Sequence, residues 1–129
     1  MRRLARLLRI PIELSIVDDA AMTRLCLTHL GKNKTTDVLS FEPESPLPGI
    51  AMPTPGQIVL NDDAILRQAP RADAAGCLEE ASSLLVHGAA HLVGHDHATR
   101  QQGRAMLRLE RRLARRLGLS WLPRPYGTA

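Results

Sequence analysis

From Ile10 to Val17 the apolar positions Ile10, Ile12, Leu14 and Ile16 alternate with others, and the run ends at Asp18-Asp19. Period-two alternation followed by a capping residue predicts a half-buried strand leading into a helix. Ala20 to Leu30 reads as a short helix closed by Gly31, and Thr35 to Phe41 is β-prone. The prolines Pro43, Pro46, Pro48, Pro53 and Pro55 then exclude regular structure until Gln57 to Leu60, a short apolar strand. Asn61-Asp62-Asp63 caps a helix that must end before Pro70, and Gly76 opens a longer segment. Within Cys77 to Val93, Leu78, Ala81, Leu84, Leu85, Ala89 and Leu92 recur at helical spacing, which predicts a largely buried helix with Glu79-Glu80 in its first turn. A last helix from about Thr99 to Leu117 places Met106, Leu109, Leu113 and Leu117 on one face and Arg100, Arg104, Arg108, Arg111 and Arg115 opposite. Three strands and about four helices predict an α+β fold: one small mixed β-sheet packed with helices, in one domain over residues 1–129. The strand order is not readable.

Composition narrows the function classes. A hydrophobic share of 44% with 23% charged residues is that of a soluble globular chain, and no apolar run approaches the ~20 residues of a membrane span. The basic start, Met1 to Arg9, is interrupted by arginines and reads as a helix fragment, so a cytoplasmic protein is expected. Cys26 and Cys77 form no C-x-x-C and are expected to be buried free thiols. The net charge of +4 is uneven: residues 100–129 hold eight arginines against Glu110 alone, while residues 1–99 hold nine basic and twelve acidic residues. The tail is therefore +7 and the remainder −3. Clustered cations of this kind suit a polyanion. With only Phe41, Trp121 and Tyr126 aromatic, contacts to phosphate are expected over base stacking. The bland reading of the arginine stripe is the solvated face of an amphipathic helix.

The chemistry concentrates in His87-Gly88-Ala89-Ala90-His91-Leu92-Val93-Gly94-His95-Asp96-His97, which holds four of the five histidines. Positions i and i+4 lie one above the other on a helix face, so His87 and His91 can converge on one ion. Gly94 permits the left-handed turn that ends a helix and returns the chain, bringing His97 back as a third ligand. The spacing H-x-x-x-H-x-x-G-x-x-H matches metzincin proteases, in which three imidazoles leave a fourth zinc position for water. Lone histidines at this spacing are more often ordinary surface or core residues, but three with the glycine between them point to one Zn²⁺ per chain, with nickel or copper as substitutes in vitro. H-E-x-x-H proteases place a glutamate general base after the first histidine. Here that residue is Gly88, so peptidase chemistry is disfavoured, while a metal-bound water remains a suitable nucleophile for a phosphodiester.

Two segments carry a resemblance to the YbeY family of bacterial rRNA maturation factors. His87 to His97 resembles that family's H-G-x-x-H-L-x-G-Y-D-H, and Lys34-Thr35-Thr36-Asp37-Val38-Leu39-Ser40-Phe41 resembles its K-x-T-D-V-L-S-F strand. Glu13 to Val17 with Asp18-Asp19, and Gly56-Gln57-Ile58-Val59-Leu60, add weaker similarity, so that about residues 10 to 117 are covered. The resemblance implies a zinc-dependent, single-strand-specific endoribonuclease. Its expected roles are small-subunit (16S) rRNA 3′-end maturation and ribosome quality control, with rRNA precursor and the small ribosomal subunit as partners. It also implies a strand and most of a helix before Ile10, so one strand of the family sheet is expected to be missing. Three positions depart from the pattern: Leu30 stands where an arginine faces the metal cleft, His95 where a tyrosine is usual, and Gln57 where an aspartate is usual.

These patterns assign no catalytic side chain. His95 and Asp96 are weak candidates, beside readings as an exposed imidazole and a turn-stabilising carboxylate. Lys32 and Lys34 join the arginine stripe as candidate RNA contacts, although solvated lysines are commoner. The alternative to an enzyme is a non-catalytic metal-binding ribosome-assembly factor, which Leu30 favours; an open three-ligand site favours the enzyme.

Overall fold

A computed structural model describes residues 2–9, 11–43, 55–94 and 99–119. In chain order the elements are α1 (Arg2–Leu8), β1 (Ile12–Val17), α2 (Asp19–Leu30), β2 (Val38–Phe41), β3 (Gly56–Asn61), α3 (Asp62–Gln68), α4 (Ala74–Leu92) and α5 (Arg100–Arg116). The fold is α+β as expected, with five helices among the described residues where about four were counted, because Arg2–Leu8 forms a helix of its own.

The three described strands form a mixed sheet in the order β1-β3-β2, parallel between β1 and β3 and antiparallel between β3 and β2. Period-two alternation sorts β3 between two cores. Ile58 and Leu60 face a cluster with Leu84, Val86, Ala89 and Ala90 of α4, Met106, Leu109 and Leu113 of α5, and Leu4 of α1. Val59 faces the other way, against Met22 and Cys26 of α2. The central strand is thus covered on both sides, which explains its near-continuous apolar run. Strand β1 is an edge among the described residues, and its alternation does not produce burial: Ile16 is 62% and Leu14 37% exposed.

Caps set the helix limits. Asp18 accepts from the Ala21 amide at the start of α2, and Gly31 closes it in a left-handed conformation (φ 66°). Thr99 and Gln102 form a reciprocal capping box on α5. Helix α4 begins earlier than its hydrophobic pattern suggests, because Asp73 is the cap and accepts from the Gly76 amide. Glu79 and Glu80 therefore lie beyond the first turn, and the expected burial holds only for the C-terminal half: Leu78 is 67% exposed while Leu84, Val86 and Ala89 are buried. The β-prone run from Thr35 shortens to Val38–Phe41 because the buried Asn61 side-chain amide donates to Thr35 Oγ1 and the Thr36 carbonyl. Neither cysteine is disulfide-bonded; Cys26 is buried and Cys77 half-buried.

Candidate metal centre

Two of the three candidate ligands, His87 and His91, sit on α4, which packs on the sheet. His87 and His91 are one turn apart on α4, with ring centroids 4.8 Å apart and ring planes at 89°. His87 is buried (4% exposed) and His91, one turn further along, is half-buried. Gly94 adopts φ 86°, the left-handed conformation expected of the residue that ends this helix. His95, Asp96 and His97 lie outside the described residues, and among the described residues no three potential ligands form a cluster.

Behind His87 stands a residue absent from the sequence-based candidates. Its Nδ1 lies 2.9 Å from Oε1 of Glu110, with side chains only 6% and 1% exposed. Because a carboxylate accepts, Nδ1 is the donor, and the lone pair of a neutral imidazole then belongs to Nε2. Metal-ligating histidines are commonly held by this kind of carboxylate. The donor set therefore fits a borderline-soft divalent ion such as zinc. The signal was present in the sequence: Glu110 is the one acidic residue in a tail of eight arginines, and it falls beside Met106, Leu109 and Leu113 on the apolar face of α5.

Helix α4 approaches the sheet closely at Gly88. Ser40 donates from Oγ to the Gly88 carbonyl at 2.8 Å. A Cβ on Gly88 would meet Ser40 Oγ at 2.9 Å, Ile58 Cγ2 at 3.1 Å and Val38 Cγ2 at 3.2 Å. The glycine next to the first histidine is thus a packing requirement, and a glutamate there would point into β2 and β3 rather than toward a substrate. This supplies a structural reason for the missing protease base.

Among the other candidates, Arg100, Arg104, Arg108 and Arg115 are exposed along α5 and Arg111 is half-buried. Arg100, Arg104 and Arg108 with Gln101 line a shallow groove of about 470 Å³. Lys32 and Lys34 are exposed beyond α2, and Leu30, its last residue, is half-exposed. Elsewhere, Asp19 accepts from Arg67 at 2.7 and 3.0 Å and from Asn61 at 2.7 Å, and these hydrogen bonds, Arg67 first, lower its pKa to about 2. This cluster ties α2 to α3 and β3, and it includes no candidate ligand.

Residues 3–118 match the family described as Endoribonuclease YbeY. A similar relative, the Endoribonuclease YbeY of Myxococcus xanthus (strain DK1622), is 41% identical over 113 residues, which cover 85% of this chain and 37% of the relative. The chain spans little more than a third of that protein's length. A match over nearly the whole chain, joined to a histidine pair at the end of the helix that packs on the sheet, shows that this chain belongs to the YbeY family.

Proposed function

We propose that this chain is a zinc-dependent endoribonuclease that cleaves single-stranded RNA. In this reading it acts in the cytoplasm on rRNA precursors, in 16S 3′-end maturation and ribosome quality control, in association with the small ribosomal subunit. The carrying observation is the His87–His91 pair with Glu110 hydrogen-bonded behind it. Support comes from the family and from the name of its Myxococcus relative. No helix of the described residues is long and apolar enough to cross a membrane.

His87, His91 and His97 would hold the ion, one per chain. Held there, zinc would supply a hydrolytic nucleophile at neutral pH and Lewis-acid stabilisation of charge on the phosphoryl group. Glu110 fixes the tautomer and orientation of His87. Hydrolysis adds water across a P–O bond, so the attacking oxygen loses a proton and the departing sugar oxygen gains one. His95 and Asp96, adjacent to His97 in sequence, are the candidate groups to carry those protons. Arg100, Arg104, Arg108, Arg111 and Arg115, with Lys32 and Lys34, would neutralise backbone phosphates outside the metal site.

A second reading, a non-catalytic metal-binding assembly factor, is favoured by Leu30, which offers no cation where the resemblance expects an arginine. Metal-loaded protein incubated with a single-stranded RNA, beside His91→Ala, separates the two. Cleavage lost in the variant and on chelation supports the enzyme; metal bound through the three histidines without cleavage supports the assembly factor. Full metal occupancy after His87→Ala and His97→Ala would remove the site assignment itself.

A further inference from the structure

Helices α1 and α5 enclose a second groove that the metal site does not use. It measures about 430 Å³ and is lined by Arg6, Leu7, Leu8 and Arg9 of the α1 end and by Leu109, Arg112, Leu113 and Arg116 of α5. All four arginines are exposed, and none forms an ion pair among the described residues. Glu110, the only carboxylate on α5, is turned into the core toward His87. At about 100° per residue, Arg112 and Arg116 lie some 160° and 120° around α5 from Glu110, so the groove's arginines point away from the carboxylate that meets His87, while its floor, Leu109 and Leu113, belongs to the core face.

The position of these residues on their own helices accounts for part of the pattern. Arg6 and Arg116 lie in last turns, where a helix dipole favours cations. Their convergence has no such explanation. Arg108, Arg112 and Arg116 follow one another at i, i+4, an arrangement of like charges that is unfavourable on an unliganded helix. Arg6 and Arg9 then add two more cations from the facing element. A bound polyanion would neutralise this concentration of charge more fully than solvent and salt do.

The groove also discriminates between kinds of anion. Leu109 and Leu113 are only 8% and 5% exposed and Leu7 and Leu8 are half-buried, so the groove offers less apolar surface than guanidinium to an acidic peptide helix. What it offers is guanidinium, whose planar fork matches phosphate oxygens in pairs. We propose that the α1/α5 groove is a second binding site for the phosphodiester backbone of a nucleic acid strand, held by Arg6, Arg9, Arg112 and Arg116 and separate from the histidine site. The choice of RNA as the strand rests on the function proposed above; the groove's affinity for phosphodiesters does not depend on cleavage.

The test measures anisotropy of a labelled single-stranded RNA oligonucleotide with the full chain, in chelator so that nothing is cut, over a series of salt concentrations. Arg112→Gln with Arg116→Gln is expected to weaken binding and to reduce the log–log salt slope by about 1.4, at ~0.7 for each phosphate released. Arg6→Gln with Arg9→Gln reads the same groove from its other wall and should act likewise, so the result does not hang on one variant folding. Arg104→Gln with Arg108→Gln should add its own decrement to either pair. Unchanged affinity and slope in both folded groove variants would overturn the site. So would loss of polyglutamate binding with RNA binding retained, which would make the groove a dock for an acidic protein segment. A chain that binds RNA through these arginines but cleaves none when metal-loaded would sink the nuclease reading and leave this site standing.

Discussion

Glu110 Oε1 lies 2.9 Å from His87 Nδ1, joining α5 to α4 through two side chains that are almost wholly removed from water. A buried carboxylate is costly unless paired, and the His87 N–H supplies that pairing on an otherwise apolar helix face.

Glu110→Gln should therefore keep the shape of this contact while weakening zinc affinity about 10- to 100-fold, the usual effect of removing a ligand's outer partner. Glu110→Ala should also destabilise the chain by about 1–3 kcal/mol, because it leaves the buried His87 Nδ1–H without its acceptor. Competition against a chromophoric chelator and urea unfolding measure the two effects. Equal zinc affinity in the wild type and Glu110→Gln would reduce the pair to a packing device.

Gly88→Ala should cost about 1–3 kcal/mol in urea unfolding, since the added methyl meets three side chains at 2.9–3.2 Å. Ser40→Ala removes the tightest of these contacts, so the double variant should be less destabilised than the two single costs combined. Strict additivity would show that the contact with Ser40 is not what excludes a side chain. The native chain, lacking a base beside His87, should show no peptidase activity; chelator-sensitive cleavage of casein by pure protein would contradict this.

Asp19 gives the folded state a definite acid dependence. Its pKa is lowered from 3.8 to about 2 by Arg67 and Asn61, so the folded chain holds this proton more weakly than the unfolded chain. The resulting stability is fully present above 3.8 and is lost as pH falls toward about 2. Asp19→Asn should flatten the thermal midpoint over that window while lowering it at neutral pH. Parallel wild-type and variant curves across the window would show that the ion pair contributes nothing to folding.

Element identity was legible where a local rule acts alone. The caps at Asp18, Asn61 and Thr99, the stop at Gly31 and the turn at Gly94 follow from side chains and backbone conformations within a few residues. The i, i+4 relation of His87 and His91 is likewise set by helix geometry, so the pair was visible before any packing was known. Burial could not be read in the same way. Leu14, Ile16 and Leu78 carry the pattern of core residues, yet they are 37%, 62% and 67% exposed, because β1 is an edge strand among the described residues and Leu78 lies on a face of α4 turned from the core.

The partners that give the histidines and arginines their character were decided only by the tertiary structure. Glu110 is 23 residues from His87, and Ser40 is 48 from Gly88, separations at which sequence spacing carries no information about contact. The α1/α5 groove likewise joins arginines from opposite ends of the chain. Local sequence determines conformation because the forces involved act within a turn of helix or one capping bond; which carboxylate meets which imidazole depends on how the helices settle against the sheet.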